Sequence, residues 1–270
     1  MTWITLRRSK LNNEFYGWQG GTGPQLLLIH GVGMRADYWS NLIPELQNHF
    51  SLTIIDLPGH GDSANLVDDN PSLPRYTDYV ARLIQDSHSH TMVVGHSMGA
   101  LIAIDLAIRY PDQTTGIVAM NAPYQRSDTA KAAVQARANS IAGEEVLNFD
   151  TTLERWFDSE VTGISAAAKT SCEQWLNLLN KTGYEHAYSA FAHHDGPNET
   201  ELGSIRCPAL FMTGGDEPNS TPAMSQAMAS AVVQGEFHIV SGARHMMSMT
   251  HKGDVLDRCL SFLLEQASSS

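Results

Sequence analysis

The sequence predicts an α/β protein: a mostly parallel central sheet of about eight strands, flanked by helices and carrying a helical lid insertion. Three observations lead there. Apolar runs such as Gln25–His30 and Pro208–Thr213 lack in-out alternation, so they read as strands buried on both faces. Segments with apolar residues at helical spacing lie between such runs. From Tyr124 to about Ile205 the chain instead shows alanine-rich helical patterns and no clear strand, a stretch of roughly eighty residues that reads as an insertion over the sheet edge.

Taken in order, Ile4–Arg7 and Glu14–Trp18 read as a hairpin that breaks at Gly20-Gly21-Thr22-Gly23-Pro24, before the central strand Gln25–His30. Trp39, Leu42, Ile43 and Leu46 form a helical stripe, and Ser51–Asp56 is the next strand. Asp69–Arg75 reads as a surface loop and Tyr76–Asp86 as an amphipathic helix. A strand at Met92–Val94 leads into a helix from Met98 to Tyr110, stopped by Pro111, and Gly116–Met120 is a further strand. Beyond the insertion come Pro208–Thr213, a helix over Ala223–Ala231, a last strand at Gln234–Val240 and a closing helix at Val255–Glu265, with Ser268–Ser270 as a frayed tail. The implied organisation is a core of residues 1–123 and 206–270 with a cap of residues 124–205.

Composition narrows the function classes. With 42% apolar and 17% charged residues, the chain can fill a core. A formal charge of −12 argues against nucleic acid and anionic membrane surfaces as partners. Cys172, Cys207 and Cys259 are odd in number and widely spaced, fitting neither a disulfide framework nor a zinc site and suggesting a reducing compartment. The N-terminus lacks a signal-like apolar run, and no stretch reaches the ~18–20 apolar residues of a membrane span. A cytoplasmic location is the resulting expectation.

The chemistry concentrates at Gly95-His96-Ser97-Met98-Gly99, a G-x-S-x-G pattern at a strand-to-helix junction. A serine in so sharp a turn needs small neighbours, and the helix that follows directs its positive end at the place where an oxyanion would form. His30-Gly31-Val32-Gly33 closes the central strand; its glycines permit close approach of a ligand, and the Val32 N–H is a candidate oxyanion donor. His30 reads as a brace for that loop. In Asp56-Leu57-Pro58-Gly59-His60-Gly61-Asp62-Ser63, Asp56 reads as the partner of backbone N–H groups in a tight loop. His193-His194-Asp195 reads as a solvated loop, because adjacent histidines rarely share one ion.

Together with Thr213–Pro222 and Gly242-Ala243-Arg244-His245, these motifs resemble, in order and over nearly the whole chain, the α/β-hydrolase fold superfamily. The similarity is greatest to small cytoplasmic enol-lactonases, carboxylesterases and carbon–carbon bond hydrolases. The resemblance implies that Ser97 attacks, that His245 takes and returns the proton, and that the N–H groups of Val32 and Met98 hold the oxyanion. The acid lies in the Gly214 loop: the family register counts to Glu217, while Asp216 has the usual residue type one place early. Arg244 departs from the pattern, since a small residue often precedes this histidine; it could meet the acid loop, an anionic substrate or water.

The leading functional reading is a serine hydrolase of small esters, thioesters or lactones acting through an acyl-enzyme, with no cofactor or metal required. Carbon–carbon hydrolysis of a β-diketone or vinylogous diketone is the alternative; a dicarboxylate substrate would call on Arg126, Arg137, Arg155 or Arg244. A non-catalytic small-ligand binder is a second alternative. Displacement at halides or epoxides is disfavoured, because those relatives carry aspartate where this chain has Ser97.

Overall fold

The computed structural model describes residues 3–66, 71–86, 90–143 and 146–269. Eight strands form one sheet: β1 (Ser9–Lys10), β2 (Tyr16–Gly20), β3 (Gln25–Ile29), β4 (Ser51–Ile55), β5 (Thr91–His96), β6 (Thr114–Met120), β7 (Ala209–Gly214) and β8 (Gly235–Val240). Their spatial order is β1-β2-β4-β3-β5-β6-β7-β8, antiparallel from β1 to β4 and parallel from there on. The chain reverses direction in the sheet at β3, so β4 lies on one side of it and β5 to β8 on the other. Ligands of such sheets bind at the carboxyl ends of the strands.

The helices of the core are the single turn α1 (Ile43–Leu46), α2 (Leu73–Asp86) and α3 (Met98–Arg109). Between β6 and β7 follow α4 (Asp128–Gly143), α5 (Asp150–Trp156), α6 (Gly163–Asn177), α7 (Lys181–Ala192) and α8 (Glu199–Gly203), which form the helical insertion. The core closes with α9 (Pro222–Ala231), α10 (Met247–Thr250) and α11 (Lys252–Ser269). All six residues of β5 are buried, as are nine of the first ten of α3. Burial all round explains why α3 reads as apolar on every face.

Several boundaries differ from expectation. Ile4–Arg7 is not a strand; only Ser9–Lys10 pairs with β2. This segment is held instead by charge: the Arg8 side chain is buried, with Nη2 2.5 Å from Asp37 Oδ2 and Nε 2.6 Å from Asp56 Oδ2, while the Leu6 N–H donates to Asp37 Oδ1 at 2.5 Å. Asp37 and Asp56 would otherwise be buried acids, so the extended N-terminus supplies their counter-charge. Helix α2 starts at Leu73, ahead of the expected Tyr76, because a proline such as Pro74 is tolerated in a helix's first turn; Asp69 and Asn70 of the expected surface loop lie outside the described residues. The tail expected to fray continues α11, where the Ser268 hydroxyl donates to the Leu264 carbonyl at 2.9 Å; Ser270 lies outside the described residues.

Candidate active site

Ser97 stands between β5 and α3 with φ 56° and ψ −115°, a conformation that costs a side-chain-bearing residue about 1–3 kcal/mol. The turn is possible only with glycine on both sides. A Cβ on Gly95 would lie 2.0 Å from the Gly99 carbonyl oxygen, and one on Gly99 would lie 2.3 Å from that of Ile29. The Ser97 N–H donates to Met120 O at 2.8 Å, tying the turn to β6. Met98 opens α3, so its N–H has no carbonyl of the helix behind it to bond.

The neighbouring loop is braced by two buried histidines. The Leu57 N–H donates to His30 Nε2 at 2.9 Å and Nδ1 lies 2.7 Å from the Gly31 carbonyl, so His30 bridges the Val32 loop and the Asp56 loop. The Gly33 N–H donates to His60 Nε2 at 3.1 Å. Burial pushes the His30 imidazole well below its ordinary range and the His60 imidazole down to about 4, so both serve as neutral acceptors. Asp56 accepts from the Ala36 and Asp62 N–H groups at 2.7 and 3.0 Å. That is the loop-organising place expected of it.

His245 Nδ1 lies 3.0 Å from Glu217 Oε2. Glu217 is buried, and its Oε1 accepts from the Asn219 and Ser220 N–H groups at 2.8 and 3.3 Å. Burial alone would raise this carboxyl; the His245 charge and the three hydrogen bonds outweigh it and hold the group below the usual carboxylate range. Asp216 is exposed, and its N–H donates to the Ala243 carbonyl at 2.9 Å. Of the two neighbouring acids, it is Glu217 that meets the imidazole.

Ser97, Val32 and His245 border a cavity of about 400 Å³ between the strand ends and the insertion. Arg126, Arg137 and Arg155 line its cap side, and no carboxylate lines it among the described residues. Arg126 is buried, paired with Asp195 at 2.7 Å and stacked on Phe191. All three guanidinium charges act on the Tyr188 hydroxyl, pulling it down against a burial effect that pushes it up. Three guanidiniums thus stand along one wall, Arg126 with Asp195 as its partner.

Arg244 lies outside this lining and reaches the cap, with Nε 2.9 Å from Asp158 Oδ1. The His193–Asp195 segment is solvated at His193 but partly buried at His194 and Asp195. Asp195 pairs with both Arg126 and Lys131, and the His194 carbonyl accepts from Arg126 at 3.1 Å, because a buried guanidinium needs acceptors. Other lining residues escaped the sequence reading, Asn121 and Trp156 among them. Asn121 is buried at φ 54° just past β6, and the Trp156 indole stacks on the His245 ring. A positive φ at asparagine leaves no mark in sequence, and a cap tryptophan's partner is a matter of docking.

A family model described as "Alpha/beta hydrolase family" matches residues 26–258. The (E)-2-((N-methylformamido)methylene)succinate hydrolase of Acinetobacter baylyi is 35% identical over 91% of this chain and 92% of its own length. The pimeloyl-[acyl-carrier protein] methyl ester esterase of Chromobacterium violaceum is 27% identical over 92% and 97%. A thermophilic esterase from Thermogutta terrifontis, solved with malate bound, superposes with a TM-score of 0.85 at 21% identity, covering 97% of this chain and 100% of that one. With a model that spans β4 to β8 and nearly all of β3, the serine turn and the histidine loop, this chain belongs to the alpha/beta hydrolase family.

Proposed function

We propose that the chain is a serine hydrolase that cleaves a small ester, thioester or lactone through an acyl-enzyme, and that its substrate carries a carboxylate. Ser97 is the nucleophile, His245 the general base and then acid, Glu217 the residue that orients the imidazole, and the N–H groups of Val32 and Met98 the oxyanion donors. The observation that carries the reading is the buried Glu217–His245 bond beside a strained, glycine-flanked serine on one cavity. In attack, Ser97 Oγ adds to the acyl carbon as its proton passes to His245. The negative charge that develops on the acyl oxygen meets backbone donors at a helix N-terminus. The imidazolium returns the proton to the leaving group, and water repeats the sequence to release the acid.

The arginine wall supports the anionic substrate. Three guanidiniums face the cavity, Arg126 with Asp195 behind it, and no carboxylate is among the described residues that line it; a substrate carboxylate would add an acceptor on that side, where an uncharged ester's apolar tail would gain less. The relative named for a substituted succinate is consistent with this class. The same wall favours a second reading, carbon–carbon hydrolysis of a diketone bearing carboxylates.

The test is intact-mass spectrometry after exposure to a fluorophosphonate, followed by turnover assays. A single adduct on the wild type that is absent from Ser97→Ala is expected, and His245→Ala should lower turnover roughly 10⁴–10⁶-fold with the fold intact. Matched panels of esters, lactones, N-acyl enamines and diketones, with and without a carboxylate, then separate the bond classes. No adduct would overturn the serine mechanism, and equal kcat/KM for charged and neutral members would overturn the anionic substrate.

A further inference from the structure

The final turn of α5 meets the histidine loop at two points. The Trp156 indole lies nearly parallel to the His245 ring, with centroids 5.7 Å apart and 17° between planes. One residue before the histidine, Arg244 pairs with Asp158 at 2.9 Å, without the alignment of a hydrogen bond, and its Nη1 donates to the Glu154 carbonyl at 3.4 Å. His245 also abuts the buried His96, with ring centroids 4.7 Å apart and 59° between planes, and its carbonyl lies 2.9 Å from His96 Nε2. His96 in turn stacks on Tyr38 at 4.6 Å. The imidazole therefore has a nearly parallel aromatic face from the cap and a tilted, buried ring from the core as neighbours, with Glu217 bonded to its Nδ1.

We infer that Trp156 is a positioning residue for His245, and that the Arg244–Asp158 pair ties the cap turn bearing it to the histidine loop. The inference rests on the proposal that His245 is the catalytic base. An aromatic face within about 6 Å of a cation attracts it, so the indole would favour the imidazolium that forms as Ser97 gives up its proton. The stack also restricts rotation of the ring about its bond to Glu217. Because Trp156 and Arg155 share this turn and both line the cavity, an anion held by Arg155 and an imidazole held by Trp156 would be set by one piece of backbone. Arg244 thereby has a use: a shorter side chain could not reach Asp158. Among the described residues, the other titratable groups in contact with His245 are Glu217 and His96.

The test needs no knowledge of the substrate. The rate of Ser97 labelling by an uncharged fluorophosphonate is followed from pH 5 to 9 for the wild type, Trp156→Phe, Trp156→Leu and Arg244→Ala, with thermal unfolding as a check on folding. Trp156→Leu should label roughly 3- to 30-fold more slowly, the range that an aromatic–cation contact spans, with the midpoint of the acidic limb moved down. Trp156→Phe, which keeps an aromatic face, should recover most of both. Arg244→Ala should shift rate and midpoint in the same direction by less, since its ion pair is partly exposed. Unchanged rate and midpoint in Trp156→Leu would overturn the inference. So would a Phe variant as slow as the Leu variant, since that would leave only the loss of bulk. A wild type that resists labelling would instead overturn the catalytic reading of Ser97 and His245 on which the inference depends.

Discussion

At the scale of single residues, the site is a set of conflicts held in place by their surroundings. Ser97 occupies a backbone conformation that side chains avoid, and β5, β6 and α3 enforce it through the Met120 carbonyl and the absence of side chains at Gly95 and Gly99. Glu217 keeps a charge where burial opposes one, because an imidazole and two N–H groups converge on it. Neutralising that charge should be costly and neutralising its neighbour should not. We expect Glu217→Gln to lower kcat roughly 10²–10⁴-fold and Asp216→Asn less than about 3-fold, read in parallel assays of the two variants. Comparable losses in both would place the orienting acid elsewhere. Register in the sequence pointed to Glu217 while residue type pointed to Asp216; the direction each side chain takes from a loop decided the geometry, and such directions are not written in spacing.

At the scale of elements, the cap docks on the core through close backbone contact as well as side-chain packing. Gly183, in the first turn of α7, lies against Gly59 of the Asp56 loop, and a Cβ on Gly183 would sit 2.2 Å from the Gly59 carbonyl oxygen. Neither atom is the tip of a flexible side chain, so one backbone must move. Gly183→Ala should therefore destabilise the protein by about 1–3 kcal/mol. That corresponds to a fall in Tm of roughly 2–12 °C for a chain of this size, measured by differential scanning calorimetry against Gly143→Ala, whose added methyl meets nothing within 4 Å. Equal melting of the two would mean that this contact yields without cost. The strands of the parallel sheet were legible from their unbroken apolar runs. The first segment was not: Ile4–Arg7 alternates like a strand, yet Arg8 anchors it to two buried acids far along the chain.

At the scale of the whole molecule, three buried histidines make stability depend on acidity. Burial pushes His30 and His96 well below their ordinary range and His60 down to about 4, so in the folded state they stay neutral. The unfolded chain takes up their protons near pH 6.5, and binding more protons when unfolded means stability is lost as pH falls. Each such histidine steepens the loss by up to about 1.4 kcal/mol per pH unit between the unfolded and folded values. For His60 that window runs from about 6.5 down to about 4. Urea unfolding between pH 4 and 7 should show His60→Gln, where it folds, with a shallower dependence than the wild type. A parallel dependence would mean that His60 is protonated in the native state.

By itself the sequence determined the class of fold, the order of the motifs and the serine candidate, because burial pattern and turn chemistry are local and repeat along the chain; the histidine candidate came from the resemblance those motifs carry. Tertiary structure decided which acid faces His245, which of four candidate arginines line the cavity, and that Arg244 and Trp156 belong to the histidine's surroundings. Those relations join residues tens to more than a hundred positions apart. They depend on how a helical insertion settles over the strand ends, and no periodicity encodes that.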